Sequence, residues 1–228
     1  MSKSTNATIS KVVDIFEKYP NAYSEEEVYY IISNIDWINH NNYYGYLLRE
    51  IYDELGMIKK QDNLYLGFIK LIKQEFGLDK DILEIGGGIL PRLSKRISLK
   101  QKNGSITVYD PRLAYTNSKQ DNLVLCKDKF TKEKLPEDCD LIIGVQPYGC
   151  TETIVNTACE NNIDFMIALG DLPGNGFIDE YEFGGLQRSL IHNAEKLVKE
   201  HNLGELQKVK INQYGSIYPV IYNKRKVN

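Results

Sequence analysis

Asp81-Ile82-Leu83-Glu84-Ile85-Gly86-Gly87-Gly88-Ile89-Leu90-Pro91 is the stretch on which the reading of this chain turns. It begins as a short apolar run, passes through three consecutive glycines and opens a helical pattern. Glycine lets the main chain come close to a ligand and take dihedrals that other residues resist. The helix that follows offers unpaired N–H groups and a partial positive charge. The stretch therefore predicts a strand, a ligand-facing turn and a helix, with the anionic or carboxylate-bearing end of a ligand at the turn.

Two positions separate this turn from the dinucleotide fingerprint G-x-G-x-x-G. Pro91 stands where the third glycine belongs, and it suits the start of a helix because its missing N–H costs nothing there. Glu84 stands two residues before the first glycine, where strand core is normally apolar, and aims a carboxylate at the turn. The pattern Glu84-x-Gly86-x-Gly88 resembles the first motif of class I S-adenosylmethionine-dependent methyltransferases, departing from it at Leu90, where a small residue is common. This resemblance implies that Glu84, Gly86, Gly87 and Gly88 hold the amino-acid end of S-adenosylmethionine.

Downstream, Ile106-Thr107-Val108-Tyr109-Asp110-Pro111 is a β-branched and aromatic run closed by a carboxylate. It lies about 20 residues beyond the glycines, the usual interval between strands of a βαβ unit. Ligands of open parallel sheets bind beyond the strands' C-terminal ends, so Asp110 is expected to accept ribose hydroxyls, with Pro111 beside it. Asp110-Pro111 is also a turn signal in its own right. Residues 123–126 and 140–145 read as the third and fourth strands. The resemblance implies an adenine contact for Asp128, which read alone is equally a solvated charge between Lys127 and Lys129. Gln146-Pro147-Tyr148-Gly149 is similar to the N-P-P-Y loop of amino-group methyltransferases, with Gln146 replacing Asn or Asp and one proline missing. That likeness implies Gln146 at the cofactor and Pro147 and Tyr148 at the substrate's border; the segment is also an ordinary strand-to-helix turn. Methyl transfer is an in-line displacement that rests on holding donor and acceptor aligned. No catalytic residue is therefore named, and Glu152 reads first as a favourable charge in a helix's first turn.

Residues 1–62 read as a helical region without a strand signal, and residues 63–228 as an S-adenosylmethionine-binding domain. The expected fold is α/β: a Rossmann-like methyltransferase sheet, mostly parallel, with helices between its strands. An antiparallel hairpin closes it, formed by residues 205–211 and 217–222 around the turn at 213–216. Pro219 is expected near a sheet edge. In residues 92–100, Leu93, Ile97 and Leu99 fit one helical face, and the basic residues between them are expected in solvent. Tyrosine, 16 residues in all, clusters early, from Tyr23 and Tyr29 to Tyr52 and Tyr65, which suits a lid over the substrate or a homodimer face.

Composition narrows the classes. The 228 residues are 42% hydrophobic and 26% charged, enough for one α/β core with a smaller attachment. No apolar run approaches the roughly 20 residues of a membrane helix. The start is polar, without a secretory signal's apolar stretch, and the expected location is cytoplasmic. Cys126, Cys139, Cys150 and Cys159 form no C-x-x-C pair and His40, His192 and His201 are scattered, so no metal site is expected. A net charge of -3 disfavours a large nucleic-acid footprint and favours a small-molecule acceptor, leaving protein and nucleic acid open. Two other functions fit the turn: an aminopropyltransferase-like enzyme, for which residues 146–148 lack the acids a polyamine needs, and a non-catalytic binding protein of the same fold.

Overall fold

The computed structural model describes residues 62–88, 90–147, 149–170, 180–213 and 216–225. The helices expected before residue 61, Tyr148 and the glycine-rich segment 171–176 lie outside the described residues. Among the described residues four α-helices are present: α1 (Asp62–Glu75), α2 (Arg92–Ser98), α3 (Thr151–Glu160) and α4 (Glu180–Glu200). The strands are β1 (Ile82–Ile85), β2 (Ile106–Tyr109), β3 (Leu123–Cys126), β4 (Leu141–Val145), β5 (Asp164–Ala168), β6 (Gln207–Gln213) and β7 (Ser216–Asn223). They form one sheet in the order β3-β2-β1-β4-β5-β7-β6. β1 to β5 are parallel, while β7 runs antiparallel to both β5 and β6. This is a Rossmann-like methyltransferase sheet.

Burial explains why the central strands read as apolar runs, interrupted by Glu84 in β1 and opened by Asp164 in β5. Every residue of β1 and β5 is buried, because both faces of the sheet are covered there. On one face Phe68 and Ile72 of α1 and Leu93 and Ile97 of α2 pack against Ile82, Val108, Leu141 and Met166. On the other, Ile154 and Ala158 of α3 and Ala194 and Val198 of α4 pack against Leu83, Ile142 and Phe165. The chain passes from β1 outward to β2 and β3, then returns to β4 on β1's other side. In open sheets of this kind ligands bind in the crevice at the C-terminal ends, where the order reverses.

Three expectations need correction. Helices do not separate every pair of strands: residues 110–122 form turns, and residues 127–140 hold only a 3-10 turn, Lys132–Lys134. Single side chains supply cover there, Leu113 and Tyr115 on the α1 face and Phe130 on the other. Phe130 meets Tyr109 edge-on with ring centroids 5.5 Å apart. Second, the basic face of α2 is not solvated. Arg92 and Lys95 are buried and Leu99, past the helix end, is exposed. Tyr65 of α1 lies against this face, with the Arg92 guanidinium 5.0 Å from its ring centroid. A planar cation with an apolar stem can be buried against an aromatic face. Third, Pro219 lies on β7, an interior strand, and β6 is the edge. Its carbonyl accepts the Leu169 N–H at 2.8 Å, just past the last β5–β7 pair, Ala168↔Val220. The proline nitrogen thus faces the end of β5, where the missing N–H interrupts no further pair.

Among the described residues no helix is long and apolar enough to cross a membrane.

Candidate functional site

β1 delivers the first group. Glu84 pairs in register with Val108 of β2 and Ile143 of β4, at the centre of the parallel strands. Its carboxylate is 2% exposed and accepts a short hydrogen bond from the Ser94 hydroxyl of α2. Burial pushes its pKa up to about 7; the Ser94 hydrogen bonds oppose the shift, and the nearby Asp110 charge adds to it.

The chain then turns over the ends of three strands. The Gly86 N–H donates to the Tyr109 carbonyl at 2.9 Å, carrying the β1–β2 ladder one step further. Gly86 and Gly88 have φ of 80° and 79°, in the left-handed region that side chains resist. Gly87 is required for a different reason. A Cβ there would stand 2.5 Å from Val108 Cγ1 and 3.5 Å from Glu84 Cδ. Pro147, beyond β4, closes the other side, its Cβ 3.2 Å from where a Gly86 Cβ would be. The bare main chain of the turn is thus seated between β2 and the β4 loop.

Asp110 links turn and second strand. Its Oδ2 accepts the Gly88 N–H at 2.9 Å and Arg112 Nη2 at 3.0 Å. Its Oδ1 accepts the Arg112 main-chain N–H at 2.8 Å and Nε at 3.1 Å. Burial alone would raise its pKa, but the Arg112 hydrogen bonds and charge, with the Gly88 N–H, hold the carboxyl below its ordinary value. Pro111 follows on the surface.

The remaining expected residues divide. Gln146 adopts φ 51°, unusual for a side-chain-bearing residue, and its N–H donates to the Ala168 carbonyl at 2.8 Å. Its Cβ and Cγ lie against Gly170, where an added Cβ would be only 2.7 Å away. Gln146 therefore leans toward the end of β5 rather than over the glycine turn. The Asp128 side chain is 64% exposed and salt-bridged to Lys134 at 2.6 Å. That ion pair and the Lys129 N–H hold its pKa below the ordinary range. Glu84, Gly86, Gly87, Gly88, Asp110 and Pro147 come together at the C-terminal ends of β1, β2 and β4; the carboxylate of Asp128 turns outward. Tyr148 lies outside the described residues.

Sequence reasoning missed Ser94 and Arg112. Arg112 had a local signal, since an Asp often bonds the backbone two residues on. Ser94 had none, because its partner is reached only when α2 folds back over β1. A cleft of about 830 Å³ lies at the opposite end of the sheet, lined by Lys80, Asp164, His201 and Arg225 among others. Arg225 is tied there to Asp164 and the Asn162 carbonyl. Ligands of open α/β sheets sit at the other end, so the crevice, not this cleft, is the candidate site. Among the described residues no cluster of three or more His, Cys, Asp or Glu is arranged to hold a metal ion.

No protein-family model and no curated protein matches this sequence. Solved structures do. The METTL16 MTase domain superposes with a TM-score of 0.52 at 12% identity, over 75% of this chain and 71% of that one. The 23S rRNA methyltransferase ErmE gives 0.49 at 15% identity, over 74% and 70%. The magnesium protoporphyrin IX methyltransferase ChlM from Synechocystis PCC 6803 gives 0.47 at 10% identity, over 72% and 82%. At such identities the likeness is one of fold, carried by the first of these structures, and the fold is that of the class I S-adenosylmethionine-dependent methyltransferases.

Proposed function

We propose that the chain is an S-adenosylmethionine-dependent methyltransferase that binds its cofactor in the crevice over β1, β2 and β4 and methylates a small-molecule acceptor. One observation carries this reading: a side-chain-free turn whose Gly88 N–H is bonded to the buried carboxylate closing the next strand. The fit is chemical as well as steric. Gly87 leaves no room for a Cβ, so main chain alone can meet a ligand there. Glu84 offers a buried acceptor for an ammonium group, and Asp110 an acceptor for a ribose diol, with Pro111 flanking it. When bound, S-adenosylmethionine supplies a methyl carbon activated by a positively charged sulfur. The protein's part is then to hold and align, a contribution of about 7 to 11 kcal/mol in well-oriented reactions.

Gln146 and Pro147 border the cofactor and acceptor in this reading, together with Tyr148. Asp128 contributes an adenine contact only through a rearrangement of its Lys134 pair. Residues 1–62 complete the acceptor pocket or form a dimer face, a role suggested by their tyrosines. The reading includes a cytoplasmic location, with which four free thiols agree.

The test is calorimetric titration with S-adenosylhomocysteine, in the wild type and in Asp110→Ala. Loss of a charged hydrogen-bond acceptor of about 1.5 to 3 kcal/mol should weaken binding roughly 10-fold to 100-fold. Equal affinity in the two proteins removes the ribose assignment. Methyl-labelled cofactor incubated with fractionated metabolites, protein and RNA then assigns the acceptor class; label confined to a macromolecular fraction refutes the small-molecule part.

A further inference from the structure

Asp110 is the group on which the proposed ribose contact depends, and its acceptor capacity is already full. An ionised carboxylate offers about four lone-pair sites. Four donors occupy them: the Gly88 N–H, the Arg112 main-chain N–H, Arg112 Nε and Arg112 Nη2. A ribose diol brings two O–H donors, so two of the four must leave before both hydroxyls can be accepted. The two main-chain donors are fixed by the glycine turn and by the turn after β2. Nε and Nη2 belong to one side chain, 57% exposed, whose guanidinium water can rehydrate on release. The carboxylate beneath it is only 3% exposed, so a ligand reaches it only by displacing Arg112 or by moving the main chain of the turns.

Resting on the cofactor reading above, we propose that Arg112 is a displaceable occupant of the ribose site: its forked guanidinium caps Asp110 in the unliganded protein, and the two ribose hydroxyls replace it donor for donor. Arg112 is thus a positioning residue that acts through Asp110. It keeps a buried charge neutralised and its oxygens oriented while no ligand is bound, and it gives way at a cost subtracted from cofactor affinity. The exchange conserves the number of hydrogen bonds on the carboxylate. It also selects for a vicinal diol, because a ligand presenting one hydroxyl would leave one acceptor site unfilled.

Two measurements on the full-length protein test this. S-adenosylhomocysteine is titrated calorimetrically into wild type, Arg112→Ala and Arg112→Lys. The Ala variant should bind roughly 2- to 5-fold more tightly, the span expected from losing one ion pair with an exposed partner. A merely structural arginine would give weaker binding when removed, so unchanged or weakened affinity overturns the inference. In parallel, the Arg112 Nε–H signal is identified in a ¹H–¹⁵N spectrum by its loss in Arg112→Lys. It should shift and lose exchange protection at saturating S-adenosylhomocysteine. A signal that stays put while the wild type binds refutes displacement and leaves the cofactor reading standing. Absence of binding to the wild type at millimolar S-adenosylhomocysteine refutes both.

Discussion

Glu84 carries a charge where the protein penalises one. Its pKa of about 7 lies above the ordinary carboxylate value because burial outweighs the Ser94 hydrogen bonds, with Asp110 adding repulsion. The native state then holds a proton that the unfolded chain has released. Between the ordinary value of 4.5 and about 7, stability falls as pH rises, and above that range the penalty is complete. The shift corresponds to about 3 kcal/mol. Glu84→Gln removes the titration while keeping the shape and an acceptor for Ser94. Urea unfolding should find the variant more stable than wild type at pH 8 by up to about 3 kcal/mol, with the gap closing toward pH 5. S-adenosylhomocysteine binding should weaken nonetheless, because the anionic partner of an ammonium group is gone. A stability difference that does not vary with pH would mean that Glu84 does not titrate in this range.

The turn between β1 and α2 is the element that makes a site out of a sheet, and its tightest point is Gly87. The 2.5 Å between an added Cβ and Val108 Cγ1 cannot be relieved easily, since Val108 is fully buried and stiff at χ1. Gly87→Ala should cost about 1 to 3 kcal/mol and weaken cofactor binding, as the turn is pushed off β2. Val108→Ala removes the clashing methyl. In a double-mutant cycle, Gly87→Ala should then cost clearly less in the Val108→Ala background; additive costs would show that the contact is not the source of strain. This element was legible from its residues, because glycines, a following proline and an acid at strand spacing each leave a local trace. The β2–β3 and β3–β4 connections were not. Alternation of strands suggested helices there, yet residues 110–122 are polar and turn-rich, and Leu113 and Tyr115 fill the space a helix would have covered. The α2 face misled for a related reason: amphipathic spacing reports an apolar stripe, not whether another helix lies over the charged one. Ser94 and Arg112 join the candidate site through contacts that depend on how α2 and the turn after β2 close over the strands.

At the scale of the molecule, stability depends on covering both faces of one sheet, and α1 closes the first. Leu64, Phe68, Ile69 and Ile72, with Phe76 just past the helix end, all join the core on that face, with Phe68 and Ile72 wholly inaccessible. Five such side chains at about 1.5 to 3 kcal/mol each amount to roughly 8 to 15 kcal/mol. That equals the entire net stability of a typical domain, about 5 to 15 kcal/mol. α1 is therefore part of the sheet domain, and we propose that the boundary between the two halves of the chain falls before it, near residue 62. The two ways of cutting the chain should behave differently. Removing residues 1–61 should leave a protein that unfolds cooperatively and still binds S-adenosylhomocysteine, because the described core and crevice are retained. Removing residues 1–79 should give a chain without a cooperative thermal transition, since the cover that α1 gives to α2 and to the β6 side of the sheet is lost. Calorimetric scans of both proteins decide the matter. A cooperative transition in the shorter one would place α1 outside the folding unit, and loss of the transition in the longer one would move the domain boundary toward the N-terminus.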